Sequence, residues 1–379
     1  MAKVFLCGDI INQFSEEQFI GEKMIDCIQS CDYSVCNLEG VIDSGTFENH
    51  GMLQHPSTID SLAKAGFNLC LLANNHITDY DIDGLVYTIK QLTFHNLACT
   101  GAGVGESNVY KPYIITIGEE KIGFINICEA QVGQFDSDDC NYGYAWIGWP
   151  DLDRIITETK LQVDFLFVCV HAGLEHFELP LKEFRSIYKR FCDDGADCIV
   201  GSHPHIAQGY EQYKESVIFY SLGNFYFPRF KDADASDYEN NSFSIEFNTK
   251  EKSFELIHHS IQNRIVEIVN LESSRIDIER LNDLLLSEHY KDAVREQNDK
   301  AFDTLVLRLY RNALNGQEPS DSILKKIKNT VKYFFNLVNY NNSTDYLISR
   351  QKLLQRLVEN ETYRYLTIDV LKNRNNVKH

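Results

Sequence analysis

The chain has 379 residues, of which 44 % are hydrophobic and 12 % aromatic, so it is long and apolar enough for two domains with substantial cores. Its formal net charge of −19 argues against a general nucleic-acid binder, which would present a basic surface to phosphates. The charge is uneven: residues 1–269 carry 18 basic and 40 acidic side chains, net −22, whereas residues 270–379 carry 18 and 15, net +3. This change predicts a domain boundary between residues 269 and 270.

The 11 cysteines all lie between Cys7 and Cys198, mostly inside apolar runs, and none forms a Cys-x-x-Cys pair. This usage favours buried free thiols in a cytosolic protein over disulfides or thiolate metal sites. The first residues, Met1-Ala2-Lys3, lead straight into an apolar strand, and no run approaches the roughly 20 apolar residues of a membrane span. We therefore expect a cytoplasmic protein without a signal peptide or membrane span.

Strand-like and helix-like segments alternate along the first 260 residues. Five apolar runs are typical of buried strands, and polar residues follow each of them. These residues are Gly8-Asp9, Asn37-Leu38-Glu39, Asn74-Asn75-His76, His171 and His203-Pro204-His205. The spacing also predicts helices over residues 57–65, 81–94 and 181–194, the first ending at Gly66, and strands over 113–117, 122–128, 163–170, 197–201, 217–221 and 242–247.

These strand ends predict a metal site. Open α/β sheets bind ligands beyond the carboxyl ends of their strands, so five such ends would bring their polar side chains into one crevice. Pro204 stiffens the backbone between two imidazoles that leave one strand end on the same side. Oxygen and nitrogen donors without sulfur suit Mn, Fe, Zn or Mg and do not choose among them. The alternative is a set of unconnected polar residues at strand ends.

In this order, the motifs resemble those of the bacterial capsule-synthesis proteins of the CapA type, the poly-γ-glutamate synthesis family. The matching pieces lie within residues 1–260 and are Gly8-Asp9, Asn37-Leu38-Glu39-Gly40, Ala73-Asn74-Asn75-His76 with Asp79 and Gly84, His171-Ala172-Gly173-Leu174-Glu175, Gly195-Ala196-Asp197 with Gly201-Ser202-His203-Pro204-His205, and Tyr220-Ser221-Leu222-Gly223-Asn224-Phe225. The family is similar to calcineurin-like metallophosphoesterases. The resemblance implies an α/β fold, a four-layer α-β-β-α sandwich with two sheets between helices.

The resemblance also implies a ligand set for one or two divalent ions. Asp9 would bind one ion, Glu39 would bridge two, and the remaining ligands would be Asn75, His171, His203 and His205. Two such ions lower the pKa of water and neutralise charge on a phosphoryl group.

Three further residues have implied roles near the substrate. His76 would act as general acid or orient the phosphate. Glu175, one helical turn past His171, would orient that ligand or bind solvent, and a solvated helix residue is the alternative. Asn224 would close the pocket floor and contact substrate, and a turn-forming Asn beside Gly223 is the alternative.

The chain departs from the metallophosphoesterase pattern at Ile11, where a ligand histidine is usual, and at Glu39, where the bridging ligand is usually Asp. We therefore expect two unequal ion sites. The tighter site would use Asn75, His171, His203 and Glu39, and the weaker site Asp9, Glu39 and His205.

The remaining segments carry weaker signals. Residues 131–151 lack periodicity and would form a lid, a substrate loop or a surface excursion. The Asp-rich residues 231–241 are typical of a solvated loop and lack the ligand spacing of a calcium site. Beyond residue 270 the apolar spacing becomes helical, which predicts a small α-helical C-terminal domain over 270–379. Its basic helices offer a surface for a protein partner, a membrane or the acidic first domain, with a solvated face as the alternative: Lys325, Lys326, Lys328 and Lys332 beside Phe334 and Phe335.

Three functions follow from the site and the resemblance. The first is a metal-dependent hydrolase of phosphate esters, acting on a phosphorylated or polymeric small-molecule substrate in capsule, exopolysaccharide or poly-γ-glutamate biosynthesis. The second is a non-catalytic, metal-stabilised scaffold in a polymer-synthesis assembly, which the missing histidine at Ile11 favours. The third is a metal-dependent amide or peptide hydrolase.

Overall fold

The structure is a computed structural model, and it describes residues 2–14, 18–48, 51–136, 141–228, 241–314 and 354–376. The chain divides into two compact units, Met1–Tyr290 and Lys291–His379. The sequence instead predicts that an independently folding domain ends between residues 269 and 270. It stays a prediction.

The strands, in chain order, are β1 Lys3–Ile10, β2 Tyr33–Leu38, β3 Val41–Ile42, β4 Leu53–Gln54, β5 Leu69–Leu71, β6 Ala98–Thr100, β7 Ala102–Val104, β8 Tyr113–Ile117, β9 Glu120–Cys128, β10 Gln134–Phe135, β11 Tyr142–Ala145, β12 Phe165–His171, β13 Cys198–Ser202, β14 Tyr210–Tyr213, β15 Ser216–Phe219, β16 Asn224–Tyr226, β17 Asn241–Asn248, β18 Ser253–Gln262 and β19 Ile265–Ile268. The helices are α1 Glu22–Ser30, α2 Ser57–Ala65, α3 Asp81–Phe94, α4 Glu106–Val109, α5 Leu152–Lys160, α6 Lys182–Asp193, α7 Ile278–Leu286, α8 Tyr290–Ala301, α9 Leu307–Leu314 and α10 Glu361–Asn376, with a π-helical segment Phe302–Val306 between α8 and α9.

Two sheets organise the first unit. The larger has eight strands in the order β19-β18-β17-β1-β2-β5-β6, with β16 beside the carboxyl end of β1. The second has six strands in the order β14-β15-β13-β12-β9-β8. The central strands of each sheet run parallel, so their carboxyl ends lie at one edge.

The sheets pack face to face between helices. Side chains alternate along β1, so Val4 and Leu6 join a core shared with Phe165 of the second sheet, while Phe5 packs on the opposite side with residues of α1 and α2. Helices α5 and α6 cover the outer face of the second sheet. This arrangement is the expected four-layer α-β-β-α sandwich, and the fold class is confirmed.

Several elements match the sequence pattern closely. Helix α2 occupies the predicted residues 57–65 and ends at Gly66, whose φ of 97° is the left-handed conformation that glycine adopts without steric cost. Helix α3 spans the predicted residues 81–94. Residues 131–151 were expected to lack regular structure, but β10 and β11 form a three-stranded sheet with β7 there. Strands this short leave almost no periodic signal in a sequence.

The C-terminal part is helical where the structure describes it, as the sequence predicted. Arg374 of α10 pairs with Asp299 and Asp303 at 3.0 and 2.9 Å. The basic residues Lys325, Lys326, Lys328 and Lys332 lie outside the described residues, as do residues 231–240 of the Asp-rich stretch. Within the described parts of the chain, no helix is both long enough and apolar enough to cross a membrane, and the ten cysteines found there are free thiols.

Candidate metal centre

The two sheets bring different donors to one site. The larger sheet supplies oxygen donors, since Asp9 is the penultimate residue of β1, Glu39 follows β2 and Asn75 follows β5. The second sheet supplies nitrogen donors, since His171 ends β12 and His203 follows β13. The carboxyl ends of the parallel central strands of the two sheets therefore place carboxylates opposite imidazoles. Of the proposed ligands, all but the half-buried Asn75 are buried: Asp9, Glu39, His171, His203 and His205.

The backbone at this edge is tightly constrained. His203 and His205 have φ values of 95° and 62°, a region that non-glycine residues rarely adopt and that often marks functional sites. Gly201 lies so close to the neighbouring chain that a Cβ atom there would be 2.0 Å from the Tyr220 carbonyl oxygen. Only a glycine at this position lets the two chain segments approach so closely.

Asp9 lies at the centre of one group. Its Oδ1 accepts a hydrogen bond of 2.6 Å from Asn37 Nδ2, and its Oδ2 accepts one of 3.1 Å from the backbone N–H of His203. His171 Nδ1 and His205 Nδ1 each lie 3.6 Å from an Asp9 carboxylate oxygen. The carboxylate is thus held by two N–H donors and faces two imidazoles.

A second group forms around His171. Its Nε2 lies 3.1 Å from His203 Nδ1, 3.7 Å from Glu39 Oε1 and 3.0 Å from Asn75 Oδ1. On the other side of the ring, Ser202 Oγ lies 3.0 Å from Nδ1. The other three residues expected at the tighter ion site therefore surround Nε2 of His171.

Ligand atoms gather into three groups, and within each group they lie within 4.8 Å of one another. The first contains Glu39, His171 and His203 and the second contains Asp9, Glu39 and His205, so each coincides with the charged and imidazole residues of one expected ion site. The third contains Glu175, His203 and His205 and was not expected.

Electrostatics favour the protonation states that a metal requires. Burial alone would raise the pKa of Asp9, but interaction with the His171 imidazole and then with His205 lowers it to about 2. Burial lowers the pKa of His171, and it lowers the pKa of His203 well below its ordinary value. Near neutral pH the Asp9 carboxylate is therefore ionised and the imidazoles of His171 and His203 are neutral, which are the forms that bind cations.

The donors fit a divalent ion. His171 Nε2 and Glu39 Oε1, two proposed ligand atoms of one ion site, lie 3.7 Å apart, farther than a hydrogen bond. Two ligands bound about 2.1 Å from one tetrahedral ion lie about 3.4 Å apart. Two ionised carboxylates buried side by side are costly unless a cation compensates their charge. The donor set and its spacing thus match a metal centre.

His76 stands at the edge of the cluster, with 31 % of its side chain exposed. Its Nδ1 lies 2.8 Å from Asp79 Oδ2 and its Nε2 lies 3.9 Å from Glu39 Oε1. Asp79 orients the ring, as a carboxylate does for a catalytic imidazole, and leaves Nε2 facing the site. This placement suits the expected exchange of a proton with a substrate.

Asn224 is buried beside a proposed ligand. Strand β16 pairs with β1 so that Asn224 lies opposite Asp9, and its Oδ1 lies 2.9 Å from His205 Nδ1. The structure therefore places this side chain against an imidazole, where it orients the ring. Its expected contact with substrate stays a prediction.

Glu175 does not lie on a helix, so the helical relation to His171 was wrong. Strand β12 ends at His171, helix α6 begins only at Lys182, and Glu175 lies in a turn between them. The glycine in this segment, Gly173, has a φ of 134°, which breaks any helix at its start. Instead of stacking beneath His171, Glu175 faces His203 and His205.

Besides Ser202, three contacting residues had no assigned role. Asn37 bridges Asp9 and His171, with Nδ2 3.2 Å from His171 Nδ1. Buried Glu129 has Oε1 3.4 Å from His203 Nε2, and Gln131 Nε2 lies 3.0 Å from both atoms. Glu129 follows the predicted strand 122–128, so the rule used for the other strand ends would have found it.

Comparison with known proteins places these residues in a family. The family model described as bacterial capsule synthesis protein PGA_cap matches residues 3–229, which include every proposed ligand. The chain belongs to this family. Two similar proteins are capsule biosynthesis protein CapA of Bacillus anthracis, 28 % identical over 58 % of this chain and 56 % of that protein, and PGA biosynthesis protein CapA of Bacillus subtilis strain 168, 32 % identical over 45 % of each. The chain spans about half the length of these curated relatives.

Similar solved structures include a novel phosphatase from Mycoplasma pneumoniae, with 15 % identity, a TM-score of 0.41 and coverage of 74 % of this chain and 98 % of that chain. Another is the calcineurin-like phosphoesterase YfkN from Bacillus subtilis, with 12 % identity, a TM-score of 0.38 and coverage of 74 % and 94 %.

Proposed function

We propose that this PGA_cap family protein is a metal-dependent hydrolase of phosphate esters that acts in capsule or poly-γ-glutamate biosynthesis. The observation that carries the proposal is the convergence of buried carboxylates and imidazoles from two sheets, with ligand atoms within 4.8 Å in each group. The family and its CapA members support the biosynthetic setting.

Metal binding, ligand orientation and proton transfer fall to different residues of the site. Asp9, Glu39, Asn75, His171, His203 and His205 would hold one or two divalent ions, which when bound activate water and neutralise phosphoryl charge. Asn37 fixes the Asp9 carboxylate, and Ser202 and Asn224 orient the imidazoles beside them. His76, oriented by Asp79 and partly exposed, delivers a proton from Nε2 to the leaving oxygen.

One observation favours the second candidate, a metal-stabilised scaffold without catalytic activity. Ile11 is buried and supplies an apolar side chain where a ligand histidine is usual. The group of Asp9, Glu39 and His205 therefore receives no donor from position 11. An ion bound there would be lost more easily, which weakens chemistry that depends on two ions.

Metal analysis combined with activity measurements tests the proposal. The purified protein, stripped and reloaded with Mn, Fe, Zn or Mg, is assayed against phosphate mono- and diesters and against γ-glutamyl amides. Phosphoester turnover that depends on the loaded ion supports the hydrolase. Stoichiometric metal without any turnover supports the scaffold, and turnover of the amides alone supports an amide hydrolase. Cell fractionation tests the expected cytoplasmic location.

Two histidine substitutions separate proton transfer from metal binding. His76→Ala should keep folding and metal content but lower phosphoester turnover by roughly 10²–10⁴-fold, the usual contribution of a positioned acid. His203→Ala should lose metal, and turnover should fall as a consequence. His95→Ala is a matched control, because His95 also pairs with a carboxylate, Asp60 at 3.2 Å, but lies at the far end of α3. Full activity of His76→Ala would contradict the assigned role.

A further inference from the structure

Ile11 occupies a position where a ligand histidine is usual, so the proposed metal centre lacks one donor there. Ile11 is fully buried, and its backbone N–H donates to the Tyr226 carbonyl oxygen at 2.7 Å. Its side chain offers no donor atom. A compensating ligand must therefore come from another element that reaches the imidazoles of the site.

Glu175 meets this requirement. A carboxylate oxygen of Glu175 lies within 4.8 Å of ligand nitrogens on both His203 and His205. His205 also belongs to the group with Asp9 and Glu39, and His203 to the group with His171. The Glu175 carboxylate thus adjoins one proposed ligand of each ion site.

The turn that carries Glu175 is fixed against the two histidines. The backbone N–H of His176 donates to the Pro204 carbonyl oxygen at 2.9 Å, and the His176 ring stacks on His205 with centroids 5.9 Å apart. A Cβ atom on Gly173 would lie 3.0 Å from the Pro204 ring, so the two turns are in close contact. His176 has a φ of 64°, a conformation that surrounding contacts must stabilise.

We propose that Glu175 is a metal ligand that acts with His203 and His205 and supplies the protein donor that Ile11 does not. The inference rests on the proposed metal centre and extends it. Replacing an imidazole with a carboxylate adds a negative charge and an oxygen donor. Such a change favours Mn²⁺ or Mg²⁺ over ions that prefer nitrogen ligands.

Metal affinity measured without substrate tests the inference. Mn²⁺ is titrated into metal-free wild type and Glu175→Gln, with binding followed by calorimetry and by the electron paramagnetic resonance of free Mn²⁺. Removing a residue that only hydrogen-bonds to a metal ligand lowers metal affinity about 10–100-fold. Removing a direct ligand should therefore weaken one Mn²⁺ site at least about tenfold. Glu178→Gln is the control, because Glu178 lies in the same segment and pairs instead with Arg280. Circular dichroism and thermal unfolding of the metal-free variants report folding.

The outcomes distinguish this inference from the proposed function. Unchanged Mn²⁺ affinity in Glu175→Gln overturns it, even if turnover falls, because Glu175 would then act on solvent or substrate rather than on the ion. An equal loss in Glu178→Gln also overturns it, since the effect would follow from charge alone. Weaker Mn²⁺ binding in Glu175→Gln but not in Glu178→Gln supports the inference, whether or not the protein hydrolyses any phosphoester. Hydrolysis itself is judged by the separate assay of phosphoester turnover.

Discussion

The substitution Glu39→Gln should change stability in opposite directions with and without metal. Glu39 is fully buried, and its carboxylate lies within 4.8 Å of that of Asp9. At an effective dielectric of about 20, two unit charges 4.8 Å apart repel by about 3.5 kcal/mol. The amide removes this repulsion at nearly constant volume, so the metal-free variant should be more stable than wild type by about 1–3 kcal/mol.

Metal reverses the order because only wild type holds the ion with both carboxylates. An ion at 1,000 times its dissociation constant stabilises the folded state by about 4.1 kcal/mol, which exceeds the roughly 1–3 kcal/mol gained by removing the charge. A unit of about 290 residues unfolds with an entropy of about 0.6 kcal/mol/K, so the metal should raise the Tm of wild type by about 7 °C. Glu39→Gln should show a much smaller rise because its affinity for the ion is lower.

Scanning calorimetry with chelator and with excess Mn²⁺ measures both effects. Glu211→Gln is the control, since Glu211 is also a buried carboxylate but pairs within the protein with Arg185 Nε at 2.8 Å. Removing one partner of a buried pair costs about 3–5 kcal/mol, and this loss should be the same with and without Mn²⁺. A Glu39→Gln variant that is destabilised without metal and still gains the full metal shift would refute the reasoning.

Three further predictions concern other parts of the molecule. Glu129→Gln should weaken metal binding about 10–100-fold by calorimetry without unfolding the protein, because its carboxylate orients His203, and unchanged affinity would remove that role. Burial acts to raise the pKa of Glu211, but hydrogen bonds from Arg185 and then Tyr220 lower this pKa. The ionised Glu211 therefore stabilises the folded state above its unfolded pKa, and this stabilisation is lost as the pH falls through the lower folded pKa. Urea midpoints from pH 7 to pH 3 should therefore fall less steeply in Glu211→Gln than in wild type. A fragment of residues 1–290 should unfold at a higher temperature than one of residues 1–269, because α7 packs on β14 and buries two leucines, and equal Tm values would support the earlier boundary.

The positions of the proposed ligands were largely readable from the sequence because they follow local rules. An apolar run that ends in a polar residue marks the carboxyl end of a buried strand, and this placed Asp9 and His171 where the structure has them. The break at Gly66 was equally local, since a left-handed residue ends a helix wherever it stands. Such signals depend only on residues that are close in the sequence.

Packing decided what the sequence left open. Glu175 was assigned to His171 by helical spacing, and the turn after β12 carried it instead to His203 and His205. The strand-end rule would have marked Glu129 as a candidate, but no local pattern could show that it meets His203, which lies 74 residues away in the chain. The sequence by itself determined which strands end in donor atoms. Only the tertiary structure decided which donors meet, because the spacing between the two sheets and the path of their loops depend on contacts between residues far apart in the chain.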